Sequence, residues 1–169
     1  MSNICAYTES MDLFDDPRLT AMGLFAEVYA GLSAKTTRTF AEAGLSEVDF
    51  ETLIRLARSP ERRLRMSDLA AQTSMSTSGI TRVVDRLERE GLVERRACPN
   101  DRRSLYAVLT DAGRKRLEQV LPQHLADIET WFTGLLTPEQ LTQFLEALRT
   151  IRDVVRPNAT AGVAPRHGR

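Results

Sequence analysis

The sequence predicts a mainly α-helical fold carrying one small β-wing, and three observations predict it. Apolar residues recur at three- and four-residue steps over long stretches near both ends. Two short strand-like runs, Leu92 to Ala97 and Leu105 to Leu109, flank the turn-forming residues Pro99, Asn100 and Asp101. Capping and stop residues sit at the expected borders, with Ser46, Thr110 and Thr137 opening helices and Gly44 and Gly91 closing them.

Taken in order, the first helix runs from about Leu19 to Ala41, its stripe formed by Leu19, Met22, Phe25, Val28, Tyr29, Leu32 and Thr36. Ser46 caps a second helix with Glu47 and Asp49 in its first turn and Phe50, Leu53, Ile54 and Ala57 buried, and Pro60 closes it. A polar connector leads to a short helix opened by Ser67 and Asp68 that ends near Thr73, and a tight turn follows at Ser74 to Ser76. From Thr77 the next helix turns Ile80, Val83, Val84 and Leu87 inward, until Gly91 ends it. After the hairpin, a long helix begins at Thr110 and Asp111 and carries Leu117, Val120, Leu121, Leu125, Ile128, Trp131, Phe132 and Leu135. Pro122 is expected to kink or break it. The last helix, capped by Thr137 with Pro138 in its first turn, has the stripe Leu141, Phe144, Leu145, Leu148, Ile151 and Val155. This divides the chain into a mobile tail over 1–18, a helix over 19–44, a unit over 45–110, two helices over 111–156 and a mobile tail over 157–169.

Composition narrows the function. Of 169 residues, 42% are hydrophobic and 27% charged, which is globular usage. No apolar run approaches the roughly 20 residues that span a bilayer, and the acidic start has no signal-peptide pattern, so a cytoplasmic address is expected. The net charge is zero but unevenly placed: residues 1–54 carry −6, residues 55–103 carry +5 and the remainder +1. Cys5 and Cys98 match no metal spacing, and His124 and His167 are scattered, so no metal or cofactor is expected. Arg95 and Arg96 beside Cys98 would favour its thiolate, although a small packed residue is the plainer reading. Phosphate loops, a nucleophile elbow and paired cleft carboxylates are all missing from the sequence, which points away from an enzyme.

A short helix, tight turn, second helix and hairpin over Ser67 to Leu109 is the order of a winged helix-turn-helix. A helix entering the major groove needs short polar groups at its N-terminus, where base edges and phosphates approach the free N–H groups. Thr77, Ser78 and Thr81 supply these, and Arg82 and Arg86 follow to reach phosphates or guanine edges. At the hairpin tip, Arg102 and Arg103 suit the adjacent minor groove, and Asp101 beside them can brace an arginine. A plain surface helix would also alternate arginines with acids, as Asp85, Glu88 and Glu90 do; the hairpin in its expected place favours the double-stranded DNA reading.

From about Leu19 to Arg156 the sequence resembles the MarR family of bacterial regulators. The resemblance rests on LAAQTSMSTSGITRVVDRLEREGL over 69–92 and on DRRSLYAVLT over 101–110, which fits the wing signature of Asp, any residue, Arg, five residues and Leu-Thr. It implies that Arg103 is the minor-groove arginine, Asp101 its partner and Arg102 a neighbour of the backbone. A homodimer is implied as well, in which the first and last two helices form a dimerisation region and bury the stripes around Phe25, Trp131 and Phe144. Many members release DNA when a small aromatic or phenolic effector binds, and others when a cysteine is oxidised. Cys5 precedes the first helix and the sole tryptophan is Trp131, so neither the peroxide-sensing nor the urate-responsive pattern transfers. The function expected is thus a sequence-specific, effector-responsive repressor on a pseudo-palindromic operator. The rival is a dimeric helical protein-interaction scaffold that has lost DNA binding.

Overall fold

The computed structural model describes residues 12–98 and 101–162, with 101–103 described through the backbone alone. Cys5, Pro99, Asn100 and His167 lie outside the described residues. Helix α1 covers Pro17–Glu42, beginning two residues before the expected start because Asp16 accepts the Arg18 N–H at 2.8 Å and Pro17 suits the first turn. Residues 17 and 18 are therefore helix rather than tail, and a 3-10 turn at Leu13–Asp15 precedes them. Gly44, at φ +69°, ends the element in the left-handed conformation that glycine adopts freely. Helix α2, Glu47–Ala57, opens with a reciprocal capping box between Ser46 and Asp49.

The connector to the next helix is not simply polar. A 3-10 turn at Pro60–Arg62 leads into a strand, β1, at Arg63–Arg65. Its one apolar residue, Leu64, is buried and pairs with Ala107; three residues are too few to show alternation in a sequence. Helix α3, Met66–Gln72, starts one residue before the expected Ser67, and α4 spans Thr77–Arg89.

Strands β2, Val93–Cys98, and β3, Asp101–Leu109, complete an antiparallel sheet of order β1-β3-β2. Pairing continues as far as Cys98 with Asp101, beyond an irregularity between Ala97 and Cys98. Residues 101–104 accordingly extend a strand where a loop was expected. Helix α5, Asp111–Trp131, is uninterrupted across Pro122 and corrects the expected break. A proline removes one main-chain bond and crowds the preceding turn; Leu117, Val120 and Leu121, packed on the core around it, hold the helical register. A 3-10 turn at Thr133–Leu135 leads to α6, Pro138–Val155, whose capping box joins Thr137 and Gln140.

Residues 157–162, expected to fray, form a turn with Ala159 buried. The expectation fails because the contacts involve backbone carbonyls, which leave no pattern in the side chains.

The core belongs to one lobe. Leu53, Leu56, Leu64, Leu69, Ile80, Val84, Leu87 and Val93 are almost wholly buried, and Phe40, Leu117 and Val120 close it from α1 and α5. The exposed large apolar side chains, apart from Val48 and Leu105, all lie outside residues 45–110. Met22 is 67% exposed, Tyr29 63% and Leu125 58%, and α6 buries no residue at all. Stripes of that extent on amphipathic helices need a further surface to cover them.

Where α1, α2 and α5 meet, Phe40 and Phe50 stack at 4.2 Å and the His124 ring packs on both at 4.9 and 4.8 Å. Nδ1 of His124 is buried without a hydrogen-bond partner among the described residues. Burial lowers the imidazole pKa, and the Asp127 charge partly opposes this. The folded state thus binds the proton less tightly than the unfolded chain does. The stability contributed is full above the ordinary imidazole value and is lost as pH falls through the depressed one. Thermal melts are expected to show a drop of a few degrees on going from about pH 7.5 to about pH 5.5. His124→Phe should lose most of that drop, and an equal drop in the variant would contradict the assignment.

Candidate nucleic-acid interface

The outer face of α4 is built from its N-terminus. Ser76 caps the helix by accepting the Gly79 N–H at 3.1 Å, and its hydroxyl lies 3.1 Å from that of Ser78. Thr77 and Ser78 are exposed, whereas Thr81 is half-buried and donates its hydroxyl to the Thr77 carbonyl at 2.7 Å. Arg82 is exposed and has no ion pair among the described residues. On the inner face, Ile80, Val83, Val84 and Leu87 enter the core as the spacing predicts. This fixes the rotation of the helix and hence which residues look outward.

Arg86 sits differently from the other candidates. Its guanidinium engages Asp49 through two nitrogens, with Nε donating to Oδ1 at 3.1 Å. Asp49 is buried, and its other oxygen accepts the Ser46 N–H and hydroxyl. Arg86 thereby ties α4 to the start of α2, a role that its exposed place on a helical wheel does not reveal.

A second arginine locks the hairpin to the same helix. Arg95 on β2 donates to Asp85 at 2.6 Å, to the Thr81 carbonyl at 3.3 Å and to Glu88, while its main-chain N–H donates to Glu88 at 3.0 Å. Charge-assisted bonds in this number hold one geometry far better than a single pair does. Sequence reasoning assigned Arg95 only to the surroundings of Cys98; the relevant signal is an arginine facing two acids one turn apart on the preceding helix.

On the other edge of β3, Arg63 lies over the Tyr106 ring at 4.7 Å and pairs with Glu61 at 2.8 Å. Arg65 is exposed, and its side-chain hydrogen bond to Tyr106 raises its pKa, with the nearby Cys98 and Tyr106 adding to the effect. Cys98 is buried, its thiol donating to the Tyr106 hydroxyl at 3.7 Å. These β1 arginines were missed along with the strand that carries them. The side chains of Asp101, Arg102 and Arg103 lie outside the described residues; their backbone continues β3.

Beyond the lobe, a cleft between the end of α1 and α5 is lined by Thr39, Glu42, Arg116, Gln119 and Gln123. Arg116 donates to the Ala43 carbonyl at 3.1 Å. No group of three or more His, Cys, Asp or Glu side chains is placed to hold a metal among the described residues.

The arrangement matches known regulators in sequence and in shape. The sequence model of the MarR family matches residues 45–105. The chain is 31% identical over 127 residues to YkoM, an uncharacterized HTH-type transcriptional regulator of Bacillus subtilis (strain 168), covering 75% of this chain and 80% of that protein. It is similar to AbsC, a MarR family transcriptional regulator from Streptomyces coelicolor, with a TM-score of 0.77 and 37% identity, covering 84% of this chain and 96% of AbsC. A third similarity is to Sco3205, a MarR family regulator of the same organism whose structure is in complex with DNA; the TM-score is 0.75 at 33% identity, covering 82% and 88% of the two chains.

Proposed function

The chain belongs to the MarR family, and from that premise we infer that it is a homodimeric regulator of transcription that binds double-stranded DNA sequence-specifically and represses until an effector binds. The observation that carries this reading is the lobe itself: a helix fronted by Thr77, Ser78 and Arg82, locked to an arginine-bearing hairpin through Arg95. In this reading Thr77, Ser78, Thr81 and Arg82 meet the major groove, while Arg103 enters the neighbouring minor groove with Asp101 as its partner and Arg102 lies near the DNA backbone. Arg65 adds a phosphate contact, and Arg86 acts chiefly by holding α4 in place. The exposed stripes of α1, α5 and α6 support burial against a second copy, giving a two-fold dimer whose half-sites lie about one helical turn apart.

The effector would act by differential binding to two arrangements of the lobes. The cleft beside Arg116 offers a cation to a small aromatic carboxylate or phenolate. No helix among the described residues is long and apolar enough to cross a membrane. The DNA-binding reading itself places the regulator in the cytoplasm and gives it no catalytic role.

Selection of bound duplexes from a random pool tests the reading and should return a palindromic consensus. On that operator, Arg82→Ala and Arg103→Ala should each weaken binding by about tenfold, and Arg82→Ala should also lower the salt slope by about one unit. A folded protein that stays monomeric at micromolar concentration would end the reading, and a dimer that ignores every duplex in dilute salt would end it in favour of the dimeric protein-interaction scaffold.

A further inference from the structure

The segment that follows α6 returns to the helix-turn-helix and grips it from one end of α3 to the other. Arg156 Nη2 donates to the carbonyls of Gln72 at 2.9 Å and Ala71 at 3.3 Å, the last acceptors of α3, where the helix dipole favours a cation. Gln72, only 2% exposed, donates Nε2 to the Ala161 carbonyl at 2.6 Å. Arg55 on α2 donates to the Ala159 carbonyl at 3.0 Å. Gly162, at φ +75°, lies against Asp68 in the first turn of α3, so closely that a Cβ would come within 2.7 Å of Asp68 Oδ2.

These contacts bear on how the lobe is mounted. It is covalently joined to the helical region at two places, the turn after α1 and the junction of β3 with α5 at Thr110. Besides these joints, the lobe packs on Phe40 of α1 and on Leu117 and Val120 of α5, whereas α6 contributes no residue to that core. The seated segment supplies a third attachment on a different helix, and α3 leads directly through the Thr73–Ser76 turn into α4. The end of α6 is therefore connected by hydrogen bonds to the helix that positions the DNA-facing one.

We propose that Arg156 and the seated segment 157–162 are positioning elements that set the distance and angle between the two recognition helices of the dimer, and so the operator half-site spacing that the regulator accepts. The proposal rests on the DNA-binding reading above. Inserting one base pair between half-sites moves them apart by about 3.4 Å and turns one against the other by about 35°. A fixed lobe cannot follow that displacement; a lobe released at its third attachment can.

The test uses the full-length chain and the operator obtained by selection, in versions with one base pair added or removed at the centre. The wild-type protein should bind the altered operators about tenfold or more weakly than the original, and the Arg156→Ala, Gly162→Val double variant should discriminate by only about twofold. Arg156→Ala alone should fall between. Binding to a single half-site should be the same for all three, because no residue changed belongs to the DNA-facing surface; a merely structural loss would lower this as well. Equal spacing discrimination in wild type and double variant would overturn the proposal. Unfolding of both variants would overturn it too, by making the segment part of the fold. A wild-type protein that selects no duplex would instead remove the DNA-binding reading and this inference with it.

Discussion

Replacing Arg95 with alanine should cost about tenfold or more in operator affinity, or about 1.4 kcal/mol, beside a loss of about 1–2 kcal/mol in folding stability. The two effects separate because the ion pairs are partly open to solvent but join the two elements proposed above to face DNA. Side-chain exposure is 50% for Asp85 and 40% for Glu88 against 19% for Arg95, so screening weakens the pairs only at their acidic ends. Loss of Arg95 would do two things at the surface: unfasten β2 from α4, and leave two carboxylates uncompensated beside the face proposed to meet phosphates. Operator titrations across salt concentrations, beside thermal melts, check this. The salt slope should stay near the wild-type value, since the Arg95 guanidinium is already occupied by protein acceptors. Unchanged affinity, or a slope reduced by one as for a direct phosphate contact, would contradict the positioning role.

The largest expected loss of stability comes from a single methyl group. Gly113 in the first turn of α5 passes so close to the end of the helix-turn-helix that a Cβ would lie 2.2 Å from the Leu92 carbonyl oxygen and 2.7 Å from Leu109 Cδ1. Retreat of the carbonyl is opposed, because it accepts the Thr110 N–H at 3.1 Å, while the Thr110 hydroxyl donates to Gly91 O at 2.7 Å. Helix propensity alone would favour alanine over glycine by about 1 kcal/mol. Overpacking against a fixed backbone reverses that sign, and Gly113→Ala should destabilise by about 3 kcal/mol. Denaturant titration reads it directly; a variant as stable as the wild type would show that the approach of α5 is looser than the geometry implies.

Local signals made much of the scaffold legible. Ser46, Thr110 and Thr137 cap as their side chains allow, and Ile80, Val83, Val84 and Leu87 enter the core as the helical period requires. What escaped is tertiary in origin. Leu64 stands alone between arginines, and only the partner strand β3 makes its segment a strand. Arg86 occupies an outward position on its helix, yet the buried Asp49, 37 residues earlier, claims it. The segment after α6 reads as a tail because proline, glycine and alanine carry no stripe, while its partners on the lobe are found by its carbonyls. For the candidate site, the outward face of α4 was readable from period and polarity together. The fastening of that face to the hairpin through Arg95 needed a contact across seven to fourteen residues.

The division of burial, with a closed core in one lobe and bare stripes on α1 and α6, has a consequence for gene dosage. If those stripes are satisfied only by pairing, the competent species forms by a second-order encounter, and at low abundance its amount scales with the square of the subunit supply. Halving synthesis would then thin the active pool about fourfold, making the regulated promoter steeply sensitive to how many copies a cell holds.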